Sequence, residues 1–280
     1  MSSSEVLSIE RNGHVGTLWH QGGHGGSFWL GVDLVIALTV SWVPLVADYT
    51  RFARSRRAAF IGAGIGYLLP TLFQFGFGAI LVLSHPSIAG PTDVLTTVAA
   101  GGVGSVLALL ALTVDETDEA FANIYSTAVS LQNYVPRVSQ RLLIVLVSVL
   151  ATAISLGINL TRYQQFLLLL GAFFVPLFGV LLADWLSAGG HYTREHIFSG
   201  PAWRPGMIAS WLVGFALYEW IAQTQGLGFW THWLAGLHPP HGGVGASLPS
   251  FGVAFGLAFA VARIGSRVDA AARADRTTLA

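Results

Sequence analysis

Apolar residues occur along the chain in seven long runs, separated by segments rich in charge, proline or glycine. The runs cover approximately 29–47, 58–84, 100–134, 142–158, 163–186, 206–222 and 248–262. A helix needs about 20 mostly apolar residues to cross the roughly 30 Å hydrocarbon core of a bilayer. Lipid offers no hydrogen-bond partner to open backbone, so runs of this kind must be helical. The pattern therefore predicts an all-α integral membrane protein with about seven transmembrane helices.

The distribution of arginine predicts the orientation of these helices. Twelve of the 14 basic residues follow the first, third, fifth and seventh runs, whereas Arg11 and Arg162 lie on the opposite side. Basic residues are retained in cytoplasmic loops, so we expect a cell-membrane protein with its N-terminus outside and its C-terminus inside. The predicted organisation is a polar extracytoplasmic tail (1–28), a transmembrane helical domain (29–262) and a cytoplasmic tail (263–280). Residues 1–28 hold no signal-peptide pattern, so either this tail crosses unaided or earlier helices outside this chain set the orientation.

The composition excludes several functional classes. The chain is 53% hydrophobic and 10% charged, has no net charge and contains no cysteine, and all of its basic residues are arginine. Nucleic-acid binding needs a clustered basic surface, and a retinal Schiff base needs a lysine, so we expect neither. The histidines lie outside the apolar runs without the spacing of a metal site, and no nucleophile–base set falls within a run. We therefore expect no enzyme and no cofactor, apart from a coupling ion.

The third run carries an unusual acidic cluster near its midpoint. Asp115, Glu116, Asp118 and Glu119 have 15 uncharged residues on either side of them. Four carboxylates at a helix centre cost about 10–14 kcal/mol in total on the insertion scale, more than the apolar residues of the run return. These side chains must therefore face a protein interior or a watery cavity, and they cannot all stay ionised without a cation. At least one of them is a candidate carrier of a proton or Na⁺.

The third run is also too long to cross a bilayer as an upright helix. Its 35 residues would extend about 52 Å, so we expect a tilt or a break. In one interpretation the acids only cap a broken helix, with Asp115 or Thr117 at the N-cap. In the other, Glu119 and Asn123 share a helical face with Glu116 and form a polar stripe that binds a planar solute.

The first run has a break signal of its own. Pro44 lacks an N–H group and disfavours helix at the residue before it, which predicts a kink just after Ser41-Trp42. Trp42 can offer a stacking face to an aromatic ligand, although packing is the commoner role of such a residue. Asp48 and Arg51 are spaced to pair, as an interfacial ion pair or a gate. Asp33 and Asp184, near the ends of their runs, are expected to be interfacial.

Three stretches in order resemble one family. Segment 41–52, with Ser-Trp-Val-Pro followed by Asp-Tyr-Thr-Arg-Phe, resembles the sixth helix of the nucleobase–cation symporter family, which includes cytosine, purine and hydantoin permeases. Segment 122–126, Ala-Asn-Ile-Tyr-Ser, resembles the eighth helix of that family, and 171–184 resembles the tenth. The resemblance covers nearly all of 28–262. The acidic run at 115–119 looks most like the subgroup of hydroxymethylpyrimidine transporters.

The resemblance implies a LeuT-like inverted-repeat fold, of which this chain holds the second repeat from helix six onward. The implied function is uptake of a nucleobase-like heterocycle (cytosine, a purine or hydroxymethylpyrimidine) coupled to Na⁺ or H⁺. A missing N-terminal half is then an expected partner, beside the lipid bilayer and the small-molecule substrate. Two alternatives stay open: a seven-helix receptor or sensor, and an inactive fragment that needs a separately encoded N-terminal half.

The resemblance also assigns roles to individual positions. The implied substrate-binding residues are Asn123, Glu119, Trp42 and Thr39. The resemblance and the acidic cluster together give four candidate cation-coupling residues: Thr117, Asp118, Asp115 and Glu116. Thr117 and Asp118 match a pair of hydroxyl residues that ligate Na⁺ in sodium-coupled members, and the carboxylate at Asp118 leaves Na⁺ and proton coupling both open. The stacking aromatic of the family matches a position nearer Thr39 than Trp42.

Overall fold

The structure is a computed structural model that describes residues 28–85, 88, 90–99, 103–157, 160–201, 203–222, 236 and 245–278. Within these ranges the chain forms ten helices and no strand, which confirms the predicted helical class. The helices are α1 (Phe28–Val40), α2 (Val43–Thr50), α3 (Arg56–Ser84), α4 (Pro91–Ala99), α5 (Val103–Tyr134), α6 (Gln140–Ser155), α7 (Leu160–Ser187), α8 (Arg194–Phe198), α9 (Pro205–Ala222) and α10 (Ser247–Thr278).

Among the described residues, three helical stretches are long and apolar enough to cross a membrane: Arg56–Ser84, Leu169–Ser187 and Ser247–Gly265. The pair α1 and α2 passes the same test when it is taken together. The predicted break between them is confirmed, because the first helix ends at Val40 and the second begins at Val43. Pro44 then occupies the first turn of α2, where its missing N–H costs no hydrogen bond. The total of seven spans stays a prediction.

The interpretation that the acidic cluster breaks the third run is corrected. The acidic cluster does not break the third run, because α5 is continuous from Val103 to Tyr134, about 48 Å long. The capping interpretation is therefore wrong: the Thr117 hydroxyl donates to the Thr113 carbonyl 2.6 Å away inside the helix. The helix of the seventh run extends to Thr278, and the assignment of 263–280 to a cytoplasmic tail stays a prediction. In addition, the polar segment after the second run contains α4, which the apolar pattern did not predict.

The chain divides into two compact units, one formed by 1–24 and 44–162 and the other by 25–43 and 163–280. In the first unit, α6 packs against α5, and Ser139 caps α6 by accepting a hydrogen bond from the Leu142 N–H. Helix α3 has no buried residue along its 29 positions. Its large apolar side chains are exposed on all sides, which suits a helix surrounded by lipid or by other protein.

The second unit packs through glycines. A Cβ atom at Gly171 would lie 2.6 Å from the Ala37 Cβ on α1, and one at Gly214 would lie 2.6 Å from the Pro176 Cβ and 2.7 Å from the Ala254 Cβ. Small residues of this kind let helix backbones approach closely in membranes, where no hydrophobic force drives helices together. Helices α1, α7, α9 and α10 therefore make close mutual contacts within this unit.

Candidate substrate and cation site

A cleft of about 260 Å³ lies between α2 and α5 in the first unit. It is lined by Pro44, Leu45, Asp48, Asn123, Ser126, Thr127, Ser130, Leu131 and Tyr134. Pockets for drug-sized ligands usually measure about 300–1,000 Å³, so this cleft suits a smaller, single-ring solute. We call it the α2–α5 cleft.

The polar lining of the cleft follows from helical spacing on α5. Residues three or four apart lie on one face of a helix, and Asn123, Ser126, Ser130 and Tyr134 follow this spacing. Glu119 lies one turn before Asn123 on the same face. Its backbone carbonyl accepts a hydrogen bond of 3.0 Å from the Asn123 side-chain nitrogen. The Asn123 amide group is thereby oriented, and its side-chain oxygen remains an acceptor for a ligand.

Ser126 is buried within this lining, with 6% of its surface exposed. Its hydroxyl oxygen is fully enclosed, and the Tyr49 side chain on α2 is a hydrogen-bonding neighbour of it. Buried polar groups in proteins are nearly always hydrogen-bonded. Ser126 therefore links α5 to α2 behind the cleft surface, and Asn123 remains the candidate binding residue of α5.

Asp48 contributes the carboxylate of the cleft, and this differs from the expectation that it pairs with Arg51. The Arg51 guanidinium instead donates to the Tyr125 hydroxyl at 2.7 Å, on α5, and its carbon lies 4.8 Å from the centre of the Phe52 ring. Phe121 stacks on Tyr125 with ring centres 6.1 Å apart. In the described part of the chain Asp48 has no ion-pair partner, so its charge is available to a cation.

The four acids of α5 do not form a closed metal site by themselves. All four are exposed along the uninterrupted helix, and no three His, Asp or Glu residues converge on one point within the described ranges. At about 100° per residue, Glu116 and Glu119 share the cleft face of α5, whereas Thr117 lies well away from it. The structure therefore aligns two of the acids with the cleft, and it leaves Thr117 and Asp118 without further ligands from the described residues of this unit.

Thr39 and Trp42 are half-buried in the second unit. The lining of the α2–α5 cleft includes neither of them. The cleft residues that sequence reasoning missed are Ser126, Ser130 and Tyr134. Their three- and four-residue spacing after Asn123 shows that they share its helical face. The sequence does not show that α2 packs on this face, so it does not predict a cleft there.

Long apolar helices identify a membrane protein, and in the first unit they border a small polar cleft. The family described as a permease for cytosine/purines, uracil, thiamine and allantoin matches residues 7–237. This match covers most of the chain, which therefore belongs to that family. The predicted resemblance is confirmed, and the family consists of permeases, so the expectation that the chain is not an enzyme is confirmed as well.

Curated relatives agree with this assignment. The cytosine permeases of Escherichia coli strains K12, O6:H1 and O157:H7 are each 26% identical over 221 residues, which are 79% of this chain and 48% of each relative. The chain thus spans about half the length of the curated relatives it matches. No solved structure matches the chain significantly.

Proposed function

We propose that the chain forms part of a permease that takes up a nucleobase-like heterocycle with a cation, and that this solute binds in the α2–α5 cleft. The observation that carries the proposal is the joining of a carboxylate (Asp48) and an oriented amide (Asn123) in one small cleft. Family membership supports a nucleobase-like substrate, because the family description names cytosine, purines and uracil; hydroxymethylpyrimidine stays proposed from the resemblance of the acidic run alone.

The proposed binding mode follows from the lining. The side-chain oxygen of Asn123 accepts an N–H of the ring edge. Leu45 and Leu131 supply apolar walls, and Tyr134 supplies an aromatic one. A site with few polar groups and apolar walls is the usual design for small ligands. Thr39 and Trp42 stay proposed substrate-binding residues from the resemblance alone.

The proposed coupling uses carboxylates near the middle of a membrane helix. Asp48 holds the cation beside the solute, because hard cations prefer oxygen ligands. The exposed acids of α5, Asp115, Glu116, Asp118 and Glu119, add negative charge that lipid cannot solvate. Thr117 and Asp118, which do not line the cleft, remain an alternative Na⁺ site that is proposed by resemblance. The coupling ion is either Na⁺ or H⁺, and an ion-replacement experiment distinguishes these two possibilities.

The proposed working unit is larger than this chain. The relatives are about twice as long as the matched segment, α3 buries no residue, and the acids of α5 are exposed. We propose that an N-terminal half, carrying the first repeat of a LeuT-like fold, covers these surfaces and completes the pocket. In the proposed topology the N-terminus lies outside and the C-terminus in the cytoplasm.

The test is uptake of labelled cytosine and hydroxymethylpyrimidine in cells that lack their own permeases. The chain is expressed alone and together with the part of an Escherichia coli cytosine permease that the match does not cover. We expect uptake from the pair and little from the chain alone. Asn123→Ala and Asp48→Asn should each lower uptake by about tenfold or more, because a charged or oriented hydrogen bond is lost.

Matched controls separate cleft chemistry from folding. Asn133→Ala changes the same residue type on the same helix outside the cleft lining and should leave uptake unchanged. Replacing Na⁺ by choline, and separately raising the pH, identifies the ion. Uptake that survives Asp118→Asn with Glu119→Gln would disprove the coupling role of the acids. Uptake that is equal for Asn123→Ala and Asn133→Ala would disprove the binding site.

A further inference from the structure

A larger cavity, of about 700 Å³, lies in the second unit beside the short helix α8. Its wall is formed by the end of α7, by α8 and the segment after it, by the start of α9 and by α10. Polar side chains of this wall include Asp184, Tyr192, Glu195, His196, Ser199 and Arg204. Ligand pockets usually measure about 300–1,000 Å³, so there is room for a ligand. We call it the α8 cavity.

The α8 cavity lies at the ends of helices of membrane length. The apolar stretch of α7 ends at Ser187 and that of α10 ends at Gly265, and both residues line the cavity. Trp203 in the wall is 77% exposed, and Ile197 and Phe198 of α8 are exposed as well. Tryptophan is enriched where a membrane meets water. The cavity therefore opens at the level of the lipid headgroups.

Arg204 is the cation of the cavity, and it has donors to spare. One of its nitrogens pairs with an Asp184 oxygen at 2.7 Å, and the other Asp184 oxygen accepts a hydrogen bond of 3.0 Å from the Tyr192 hydroxyl. A guanidinium carries five N–H donors, and the Arg204 side chain is 46% exposed. Arg204 can therefore bind an oxyanion without giving up Asp184.

His196 and Ser199 add further donors beside Arg204. The Thr193 N–H donates to the His196 Nδ1 atom over 3.3 Å. A neutral imidazole that accepts at Nδ1 carries its proton on Nε2, so that nitrogen is a donor. Ser199 is exposed and supplies a hydroxyl. An arginine with neutral N–H and O–H donors around it suits the oxygens of a phosphate group.

Glu195 gives the cavity a carboxylate that no cation of the described residues neutralises. The residue is exposed in the wall and makes no ion pair within the described ranges. Since Asp184 and Arg204 cancel each other and His196 is neutral, Glu195 disfavours a ligand with net negative charge. A ligand that carries both a phosphate and an ammonium group would satisfy all of these side chains.

We propose that the α8 cavity binds the headgroup of an aminophospholipid of the phosphatidylethanolamine type. Its phosphate accepts hydrogen bonds from Arg204, His196 and Ser199, and its ammonium group donates to Glu195 in a charge-assisted bond. Pockets between membrane helices at the headgroup level are known lipid sites. The position at the ends of apolar helices, beside the exposed Trp203, favours a lipid over a soluble phosphate compound. This proposal does not depend on transport.

The test is native mass spectrometry of the full chain in detergent with added dioleoyl phosphatidylethanolamine, phosphatidylcholine or phosphatidylglycerol. We expect one phosphatidylethanolamine to be retained, and the other two lipids to be retained at least about fivefold less. The quaternary ammonium of phosphatidylcholine has no N–H group for Glu195, and phosphatidylglycerol has no cation. Equal retention of the three lipids would overturn the proposal.

Variants locate the site. Glu195→Gln should lower the retention of phosphatidylethanolamine to that of phosphatidylcholine, whereas Asp93→Asn, in the first unit, should retain it as the wild type does. Arg204→Gln combined with Asp184→Asn removes the ion pair without leaving one charge alone. It should weaken both phosphatidylethanolamine and phosphatidylcholine, because both carry the phosphate. Arg194→Gln, outside the lining, is its control and should change neither.

The remaining outcomes separate a lipid from other ligands and from transport. A Glu195→Gln variant that still prefers phosphatidylethanolamine over phosphatidylcholine would overturn the proposal. Soluble phosphoethanolamine at the concentration of the lipid should leave the lipid bound, and displacement would overturn the assignment to a lipid. Asn123→Ala should leave lipid retention unchanged whatever it does to uptake, so the two proposals fail separately.

Discussion

Replacing Gly214 by alanine tests the close helix packing of the second unit. The added methyl would lie 2.6 Å from the Pro176 Cβ, 2.7 Å from the Ala254 Cβ and 3.0 Å from the Ser250 carbonyl oxygen. Carbon atoms prefer separations of about 3.5–4.0 Å, so the neighbours must move by roughly 1 Å. None of these atoms is the end of a flexible side chain, and the strain cannot be relieved by a rotamer change.

The magnitude follows from two opposing terms. Overpacking a well-packed core costs about 1–3 kcal/mol, whereas glycine to alanine inside a helix gains about 0.8–1 kcal/mol. The added methyl group would clash with three atoms that cannot move aside easily, so the overpacking cost should lie near the upper end of the 1–3 kcal/mol range, about 3 kcal/mol. We therefore expect Gly214→Ala to destabilise the chain by about 1–2 kcal/mol, as the difference of the two terms.

The assay is thermal unfolding of the purified chain in detergent, followed by circular dichroism. Gly252→Ala on α10 is the matched control, because nothing lies within 4 Å of its added Cβ, and it should be neutral or stabilising. Adding Ala254→Gly to Gly214→Ala should recover part of the loss, since it removes one of the contacting atoms. A Gly214→Ala variant as stable as Gly252→Ala would refute the packing argument.

The remaining predictions concern the cleft and the chain segment after α7. Tyr125→Phe removes the hydroxyl that accepts the hydrogen bond from the Arg51 guanidinium. Because this bond is exposed, we expect the loss to destabilise the packing of α2 on α5 by less than about 1 kcal/mol. Chemical-denaturant unfolding measures the loss in free energy, and amide exchange in α2 should become faster. Asp48→Asn should remove the dependence of cytosine binding on the coupling cation, read by titration with and without Na⁺ at two pH values. Tyr192 donates to Asp184 at 3.0 Å, and burial, followed by this carboxylate, raises its pKa from 10.0 to about 12. Because the folded pKa is the higher one, the stabilising contribution of the neutral phenol is complete below pH 10 and is lost as the pH rises towards 12.

Each of these predictions has its own control. Tyr134→Phe, on the same helix, loses a hydroxyl without an Arg51 contact and should leave the exchange rates of α2 unchanged. For Asp48, a cation dependence that persists in the Asn variant would contradict the assigned role. For Tyr192, the tyrosinate absorbance of the wild type minus that of Tyr192→Phe isolates the titration. A transition near the ordinary tyrosine pKa would contradict the hydrogen bond from Tyr192 to Asp184.

Helical structure and the site of the first break could be predicted from local sequence. Apolar runs of membrane length leave the backbone no alternative to a helix, and Pro44 sets the end of α1 and the start of α2 through its missing N–H. The continuity of α5 was misjudged for a related reason. Its segment 105–134 contains neither glycine nor proline, and four acids alone do not remove a backbone hydrogen bond, so the helix continues through them.

The candidate site could be predicted only in part. Asn123 and Glu119 were identified because residues four apart share a face, which is a property of the helix alone. The sequence did not identify the neighbours of Asp48 and Arg51 correctly. Local spacing favoured a pair between them, but Tyr125, 74 residues after Arg51, provides the acceptor. Spacing reports which residues of one helix are neighbours, and it carries no information on which second helix lies beside them.

By itself the sequence determined the membrane class, the helices and the polar stripe of α5, because each depends on interactions within a few turns of chain. Tertiary structure alone decided that Asp48 lines a cleft with Asn123, and that the Asp33 carboxylate meets the Ser247 N–H across 214 residues of sequence. Such contacts depend on the close packing of whole helices. At Gly171 and Gly214 the absence of one methyl group permits that packing.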